Sequence, residues 1–164
     1  MSKGVLRPII PRSPLYRTQT MHDAIRKAIH DTGMNMKKTF EGTTSTWDTD
    51  VKFTMRSTFT DSKCEIEVST DNEIYGYVNE GTKPHVIRPR FAKRLAFQTG
   101  YRAKTRPKSI TSGPGGASGP YAYANVVHHP GTKAREFTKY VTIRYVDILP
   151  MVIQQAIAKA AKEG

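Results

Sequence analysis

The chain has 164 residues, with 26 lysines and arginines against 14 aspartates and glutamates, which gives a formal net charge of +12 at pH 7. That length suits one domain with its own core, and the charge predicts an acidic or polyanionic neighbour. A single cysteine excludes a disulfide-stapled scaffold, and no apolar stretch reaches the ~20 residues of a membrane span. We therefore expect a soluble protein without a signal peptide.

The positive charge is concentrated in two segments. Residues 1–17 lack acidic residues, are interrupted by three prolines and carry four bases, Lys3, Arg7, Arg12 and Arg17. This composition favours an extended N-terminal arm that forms no helix. Residues 88–108 also lack acidic residues and carry eight bases, Arg88, Arg90, Lys93, Arg94, Arg102, Lys104, Arg106 and Lys108. Such a run is either a solvated face or a contact surface for a polyanion that relieves its self-repulsion.

Apolar periodicity predicts a helix and then a β-hairpin. Apolar residues recur every three or four positions from Met21 to Phe40, which indicates an amphipathic helix over 20–41 that stops near Gly42. Residues 51–59 and 64–69 then alternate apolar with polar side chains, so we expect two half-buried strands joined by a turn at 60–63. Bases on one strand should lie opposite acids on the other.

The second half of the chain changes character several times. We expect a short helix through Ile74 and Val78 that ends at Gly81, and irregular structure leading to a strand near Leu95. Residues 98–120 are basic and then rich in glycine, serine and proline, which is typical of a flexible loop. Residues 121–127 read as a strand that closes the sheet. From residue 137 the period is helical to the C-terminus, with Pro150 as a kink or restart, and β-branched residues leave a strand open for 138–146.

These patterns predict an α+β fold. An antiparallel sheet of about four strands would carry the 20–41 helix and the long C-terminal helix packed on one face. The extended arm at 1–17 and the flexible loop at 98–120 would project from a single domain over residues 18–164.

The residues capable of catalysis or metal binding form no recognisable motif. Neighbouring His128 and His129 would point to opposite faces of a strand, and His22 and His30 would lie about 12 Å apart along a helix, too far for one ion. Cys64 lies on the apolar side of its strand, which favours a buried core residue over a nucleophile. The glycine-rich stretch lacks the Gly-Lys-Ser/Thr end of a phosphate-binding loop. We expect no metal, no cofactor and no enzymatic activity.

Two short motifs resemble a known family. Residues 75–97 read YGYVNEGTKPHVIRPRFAKRLAF, and residues 127–137 read VHHPGTKAREF. In this order, after a helix and a hairpin, they resemble the tail-completion or neck proteins of long-tailed bacteriophages. The positions that carry the likeness have plain structural roles, since glycines permit sharp turns and prolines stiffen the chain. They are Gly81, Thr82, Pro84, His85, His128, Pro130 and Gly131.

The resemblance implies a structural virion protein, made in the host cytoplasm, that forms a homo-oligomeric and hexameric ring at the head–tail junction. Its implied partners are further copies, other neck proteins (a head-completion or adaptor protein, a tail terminator and the tail tube) and double-stranded DNA in the lumen, with no membrane. The bases at 88–108 would line the channel or dock on acidic neighbouring rings. The arm would reach an adjacent subunit through Arg7, Arg12 and Arg17.

Two other hypotheses stay open from the sequence. The charge is equally typical of a small basic protein that binds nucleic acid without sequence preference outside a virion. A nuclease or other enzyme is a third hypothesis, which requires a reactive site that the sequence does not reveal.

Overall fold

The computed structural model describes residues 2–6, 19–60, 63–99 and 120–163. The chain divides into two compact units, where the sequence predicts one domain. The first unit comprises Met1–Gly42, Lys52–Asn72 and Glu136–Gly164, and the second comprises Thr43–Val51 and Glu73–Arg135. The elements in chain order are β1 (Ser2–Leu6), α1 (Gln19–Thr44), β2 (Thr54–Thr60), β3 (Lys63–Thr70), α2 (Glu73–Glu80), β4 (His85–Ile87), β5 (Leu95–Gln98), β6 (Tyr121–Ala124), β7 (Val127–His129) and α3 (Phe137–Glu163).

Helix α1 confirms the amphipathic helix that the apolar periodicity predicts. One stripe of α1 is buried, and it contains Ile25, Ile29, Met36 and Phe40. The opposite face is polar and carries ion pairs one turn apart, such as Lys27 with Asp31 at 3.1 Å, each worth a few tenths of a kcal/mol. The helix continues to Thr44, past its predicted stop at Gly42, because a glycine weakens a helix without ending it.

The predicted hairpin is present with its predicted charge pairing. Strands β2 and β3 are antiparallel, and Arg56 lies directly opposite Glu67 on the outer face. The inner face of β3 is buried at every second residue, Cys64, Ile66, Val68 and Thr70. The strand begins at Thr54 and not at residue 51; the segment before it is held by the Thr70 hydroxyl, which donates to the Lys52 carbonyl at 2.7 Å.

The α+β class is confirmed, and the predicted sheet of about four strands is wrong. The sheet of the first unit has three strands in the order β1-β3-β2, and the strand expected at 121–127 to close it is absent from it. Residues 121–129 instead form β6 and β7, which pair with β5 and β4 in two separate two-stranded ribbons. The backbone donors and acceptors of residues 121–129 are satisfied by β5 and β4 instead of by an edge of the three-stranded sheet.

The start of the predicted N-terminal arm belongs to this sheet. Ser2–Leu6 pairs antiparallel with β3, from Ser2 opposite Thr70 to Leu6 opposite Ile66. The free edge of β3 presents backbone donors and acceptors that a strand satisfies, and the first proline of the chain comes only at residue 8. The remainder of the arm, with Arg7, Arg12 and Arg17, lies outside the described residues.

The C-terminal helix is continuous, so the strand alternative for 138–146 is wrong. Pro150 lies inside α3 and is exposed. The helix buries Val141, Tyr145 and Leu149 in the core of the first unit, and the Tyr145 hydroxyl lies 2.9 Å from the Thr39 hydroxyl of α1. Burial of side chains of this size is worth roughly 1.5–3 kcal/mol each, more than the helix propensity that β-branched residues lose. Among the described helices, none has the length and hydropathy to cross a membrane.

The second unit has a smaller core. The rings of Trp47 and Tyr75 are buried there with centroids 6.2 Å apart. Helix α2 occupies the position predicted for a short helix ending before Gly81. The Val78 carbonyl near its end accepts a hydrogen bond from the Arg135 amide at 3.1 Å, which joins the helix to the chain leaving β7.

A substitution at Gly33 tests the packing between α1 and the hairpin. A Cβ at Gly33 would lie 2.9 Å from Met55 Sδ and 3.2 Å from Ile66 Cγ2. Gly33→Leu should therefore lower the free energy of unfolding by about 1–3 kcal/mol through overpacking. Gly42→Ala is the control, because nothing lies within 4 Å of its Cβ position, and it should raise stability by up to about 1 kcal/mol. Urea denaturation measures both, and a neutral Gly33→Leu would contradict this packing.

Candidate functional site

The two motifs of the phage likeness meet in the second unit. Strands β4 and β7 pair antiparallel, with His85 opposite His129 and Ile87 opposite Val127. The pairing extends in the same register to an isolated bridge between Thr82 and Thr132. There the Thr82 amide donates to the Thr132 carbonyl at 3.0 Å, and the Thr132 amide donates to the Thr82 carbonyl at 3.1 Å. We refer to this bridge as the Thr82–Thr132 clasp.

Side-chain hydroxyls reinforce the clasp. The two threonine Oγ1 atoms lie 3.0 Å apart, and the Thr132 amide also lies within hydrogen-bonding distance, 3.0 Å, of the Thr82 Oγ1. Each threonine therefore forms hydrogen bonds with the other through both its backbone and its side chain. A Gly-Thr-Lys sequence, at 81–83 and again at 131–133, supplies both halves. Sequence reasoning named the glycines but did not identify this repeated tripeptide, which was the available signal.

Both glycines of the clasp are required by their conformation and by the space they occupy. Gly81 has φ 74° and Gly131 has φ 85°, which confirms the prediction of positive φ at both. A Cβ on Gly81 would lie 2.6 Å from the Thr132 carbonyl oxygen, and one on Gly131 would overlap the Thr82 carbonyl oxygen. Backbone atoms cannot give way as a flexible side chain can, so only glycine fits at either position.

Two histidines of the motifs stack on each other beyond the clasp. The ring centroids of His85 and His129 lie 4.9 Å apart at an interplanar angle of 28°. His85 Nδ1 donates to the Lys83 carbonyl at 2.9 Å, because a carbonyl can only accept, and the Gly131 amide donates to His129 Nδ1 at 3.1 Å. His128 is paired with Val86 on the neighbouring position of the strand. Within the described ranges, no group of three His, Cys, Asp or Glu side chains is placed to hold a metal ion.

All seven positions of the likeness therefore belong to one structural feature. Pro84 and Pro130 lie between the Thr82–Thr132 bridge and the histidine pair, and Pro84 N would be 3.0 Å from a Cβ on Gly131. The polar atoms of Thr82 and Thr132 form hydrogen bonds with each other. The Nδ1 atoms of the stacked histidines form hydrogen bonds with backbone groups of the same motifs. The arrangement holds a backbone shape and presents no activated nucleophile.

Four predicted contact residues lie on the chain that follows β4. Arg88, Arg90, Lys93 and Arg94 are all exposed. Arg102, Lys104, Arg106 and Lys108, the other half of the predicted basic surface, lie outside the described residues. From residue 81 to residue 135 the sequence contains no aspartate or glutamate, and the clasp adds two exposed lysines, Lys83 and Lys133. This part of the second unit therefore has a positive surface with no acid of its own.

Beside these bases in the chain, the strand predicted near Leu95 is present as β5, and the sequence did not predict that its partner is the start of the strand expected at 121–127. Strands β5 and β6 pair antiparallel from Leu95 opposite Ala124 to Gln98 opposite Tyr121. The Thr99 amide donates to the Pro120 carbonyl at 3.1 Å, which continues the same register. The alternation Tyr-Ala-Tyr-Ala was the available signal for a two-sided strand, but it does not state which strand is the partner.

The candidate nucleophile is in the core of the first unit, as predicted. Cys64 is 3% exposed on the inner face of β3, between Phe59 and the buried apolar residues of the sheet. Burial raises the pKa of the Cys64 thiol to about 11. A nucleophilic cysteine requires a thiolate near neutral pH, so this environment fits a structural role.

No family model, curated protein or solved structure matches this chain. The resemblance to tail-completion and neck proteins stays a hypothesis, which depends on the two motifs described above. The function proposed below is therefore argued from the Thr82–Thr132 clasp, the exposed bases of residues 88–94 and the β5–β6 ribbon.

Gly131→Ala should open the clasp. Positive φ and overlap with the Thr82 carbonyl together should cost at least about 2 kcal/mol. Hydrogen exchange should then accelerate at the amides of β4, β7 and α2. Gly76→Ala in α2 is the matched control, because nothing lies within 4 Å of its Cβ position, and it should leave exchange unchanged or slower. Equal protection in both variants would contradict the clasp.

Burial of Cys64 also predicts that the free energy of unfolding depends on pH. The thiol pKa is raised from 9.0 to about 11 in the folded chain. The neutral thiol contributes about 2–3 kcal/mol in total to the free energy of unfolding. This contribution is complete below the unfolded pKa and is lost as pH rises through the folded pKa. The urea midpoint should therefore fall more steeply between pH 9 and 11 in the native chain than in Cys64→Ala. Identical slopes would show that the thiol ionises without cost.

Proposed function

We propose that this chain is a non-enzymatic structural protein of a tailed-phage virion, a tail-completion or neck subunit that forms a ring at the head–tail junction around the DNA channel. The observation that carries the proposal is the Thr82–Thr132 clasp, which unites the two motifs of the likeness in one rigid feature. Gly81, Thr82, Gly131 and Thr132 of the motifs have roles in backbone shape, as in a scaffold that presents surfaces to neighbours.

The charge distribution supports a polyanionic neighbour. The exposed bases Arg88, Arg90, Lys93 and Arg94 belong to a segment without acids. Their mutual repulsion is reduced where phosphates lie close by, as along double-stranded DNA in a channel, or where an acidic face of another neck ring docks. Such contacts follow the phosphate backbone and do not depend on base sequence.

The outer face of α3 supports assembly into a homo-oligomer. The helix is apolar on its buried side and also carries large apolar side chains on its exposed side, Tyr140, Ile143, Val146 and Met151. Exposed apolar side chains of this size on one helix are typical of an interaction surface, and the exposed Arg144 and Asp147 lie among them as its polar groups. In a closed ring each copy covers the same surface of its neighbour, so one repeated contact buries this face in every subunit.

The proposed place of the protein follows from these surfaces. The ring, a hexamer in the family that the motifs resemble, would sit between the head-completion or adaptor protein and the tail terminator and tail tube. Its basic surface would face the DNA or an acidic ring. The protein would reach this virion location from the cytoplasm of the host, with no membrane and no cofactor involved.

Labelling of assembled particles tests the proposal. A tagged copy of the chain, imaged by electron microscopy of purified virions, should lie at the head–tail junction, with the copy number of a hexamer by quantitative mass spectrometry. Ile143→Arg should remove the chain from the particles by placing a charge on the α3 outer face. Met34→Arg, at an exposed apolar residue of α1, is the control and should be incorporated normally. Absence of the native chain from virions would refute the proposal.

The rival function, a small basic nucleic-acid-binding protein outside a virion, is favoured by the same acid-free segment. It predicts a monomer or dimer with tight and strongly salt-dependent affinity for DNA. Mass photometry of the purified chain, combined with a salt titration of duplex binding, separates the two functions. A monomer that binds DNA tightly and is missing from particles would support the rival.

A further inference from the structure

One face of the β5–β6 ribbon carries three hydrogen-bonding side chains, two exposed tyrosines and the half-buried Gln98. Directly opposed residues of an antiparallel pair share a face, and residues two apart on a strand return to it. Gln98 lies opposite Tyr121, and Ala96 lies opposite Tyr123, so all four belong to the same face. Tyr121 is 62% exposed and Tyr123 is 65% exposed. Across the ribbon, Tyr123 faces the small Ala96 and Tyr121 faces Gln98, and both rings are accessible.

The chemistry of this face is that of a phosphate–sugar contact. Tyrosine hydroxyls and glutamine amides are among the groups with which proteins contact the DNA backbone, and they do so without reading sequence. The chain that leads into β5 carries the exposed Arg88, Arg90, Lys93 and Arg94, which are complementary in charge to phosphate. An acidic protein surface would use the bases equally well, so the choice of duplex DNA follows from the proposed function.

The shape of the element fits the same ligand. A two-stranded β-ribbon is narrow enough to enter the major groove of duplex DNA, which is about 12 Å wide. The ribbon is a regular antiparallel pair from Leu95 to Gln98, and the Thr99–Pro120 hydrogen bond continues its register. Its exposed tyrosines lie two residues apart, roughly 6.6–6.8 Å along the strand.

We propose that the Gln98, Tyr121 and Tyr123 face of the β5–β6 ribbon binds duplex DNA through its phosphates and sugars, independently of sequence. Arg88, Arg90, Lys93 and Arg94 neutralise the flanking phosphates. This inference deepens the proposed function, and it rests on that function only in taking double-stranded DNA as the polyanion. The inference assigns DNA contacts to uncharged side chains of the ribbon, whereas the proposed function assigns them to the bases alone.

Removal of the two phenol hydroxyls tests the inference without removing the rings. Fluorescence anisotropy with a labelled random-sequence duplex, at about 50 mM salt where phosphate contacts are strong, gives Kd for the full chain. Tyr121→Phe with Tyr123→Phe should raise Kd about tenfold, because two hydrogen bonds to the duplex can no longer form. The dependence of Kd on salt should stay unchanged, because the charge of the protein is the same. Tyr77→Phe is the matched control, since Tyr77 on α2 is 57% exposed.

Charge variants give the complementary signature. Arg88→Gln with Arg90→Gln should weaken binding and also reduce the salt slope by about 1.8, or 0.9 for each phosphate that is no longer neutralised. Three results would overturn the inference: a native chain that does not bind duplex at low salt, a Tyr121→Phe and Tyr123→Phe variant within twofold of native, or tighter binding to single strands that the two substitutions leave unaffected. Particle incorporation of the same variants is scored separately, so failure here is distinguishable from failure of the proposed function.

Discussion

The close approach of the Gly131 backbone to the Thr82 carbonyl is the constraint on which the second unit depends. No side chain fits between these strands, and both glycines adopt a positive φ that other residues rarely tolerate. Because the approach is so close, each threonine reaches the other with its amide, its carbonyl and its hydroxyl. The histidine stack and the strand pairing of β4 with β7 follow in the same register. A short ribbon of exposed residues is marginal alone, and the clasp compensates for its small core.

Acidic residues are distributed unevenly along the chain, and this distribution supports the proposed function. In α1 and the β2–β3 hairpin acids accompany the bases, as in Lys27 with Asp31 and Lys63 with Glu65, or Arg56 opposite Glu67. From residue 81 to residue 135 the sequence has bases only. Bases without a neighbouring acid in the chain produce a positive potential that attracts polyanions and acidic surfaces.

Elements with local signals were predictable. The apolar stripe of α1, the alternation of β2 and β3, and the glycine after α2 each depend on residues a few positions apart, and these predictions are confirmed. The burial of Cys64 and the positive φ of Gly81 and Gly131 follow from equally local reasoning. The β-branched residues of 138–146 were ambiguous, since helix and strand both accept them; packing of Tyr145 and Leu149 in the core favours the helix.

The sequence by itself determined α1, α2, the β2–β3 hairpin and where the charge lies, because side-chain pattern encodes these properties. Only the tertiary structure decided that β1 joins β3, that residues 121–129 divide between two ribbons, and that Thr82 meets Thr132 across fifty residues. The reason is that every strand offers the same backbone donors and acceptors, so alternation identifies a strand and its faces but not its partner. Which edges meet depends on which other edges are already occupied, a property of the whole chain.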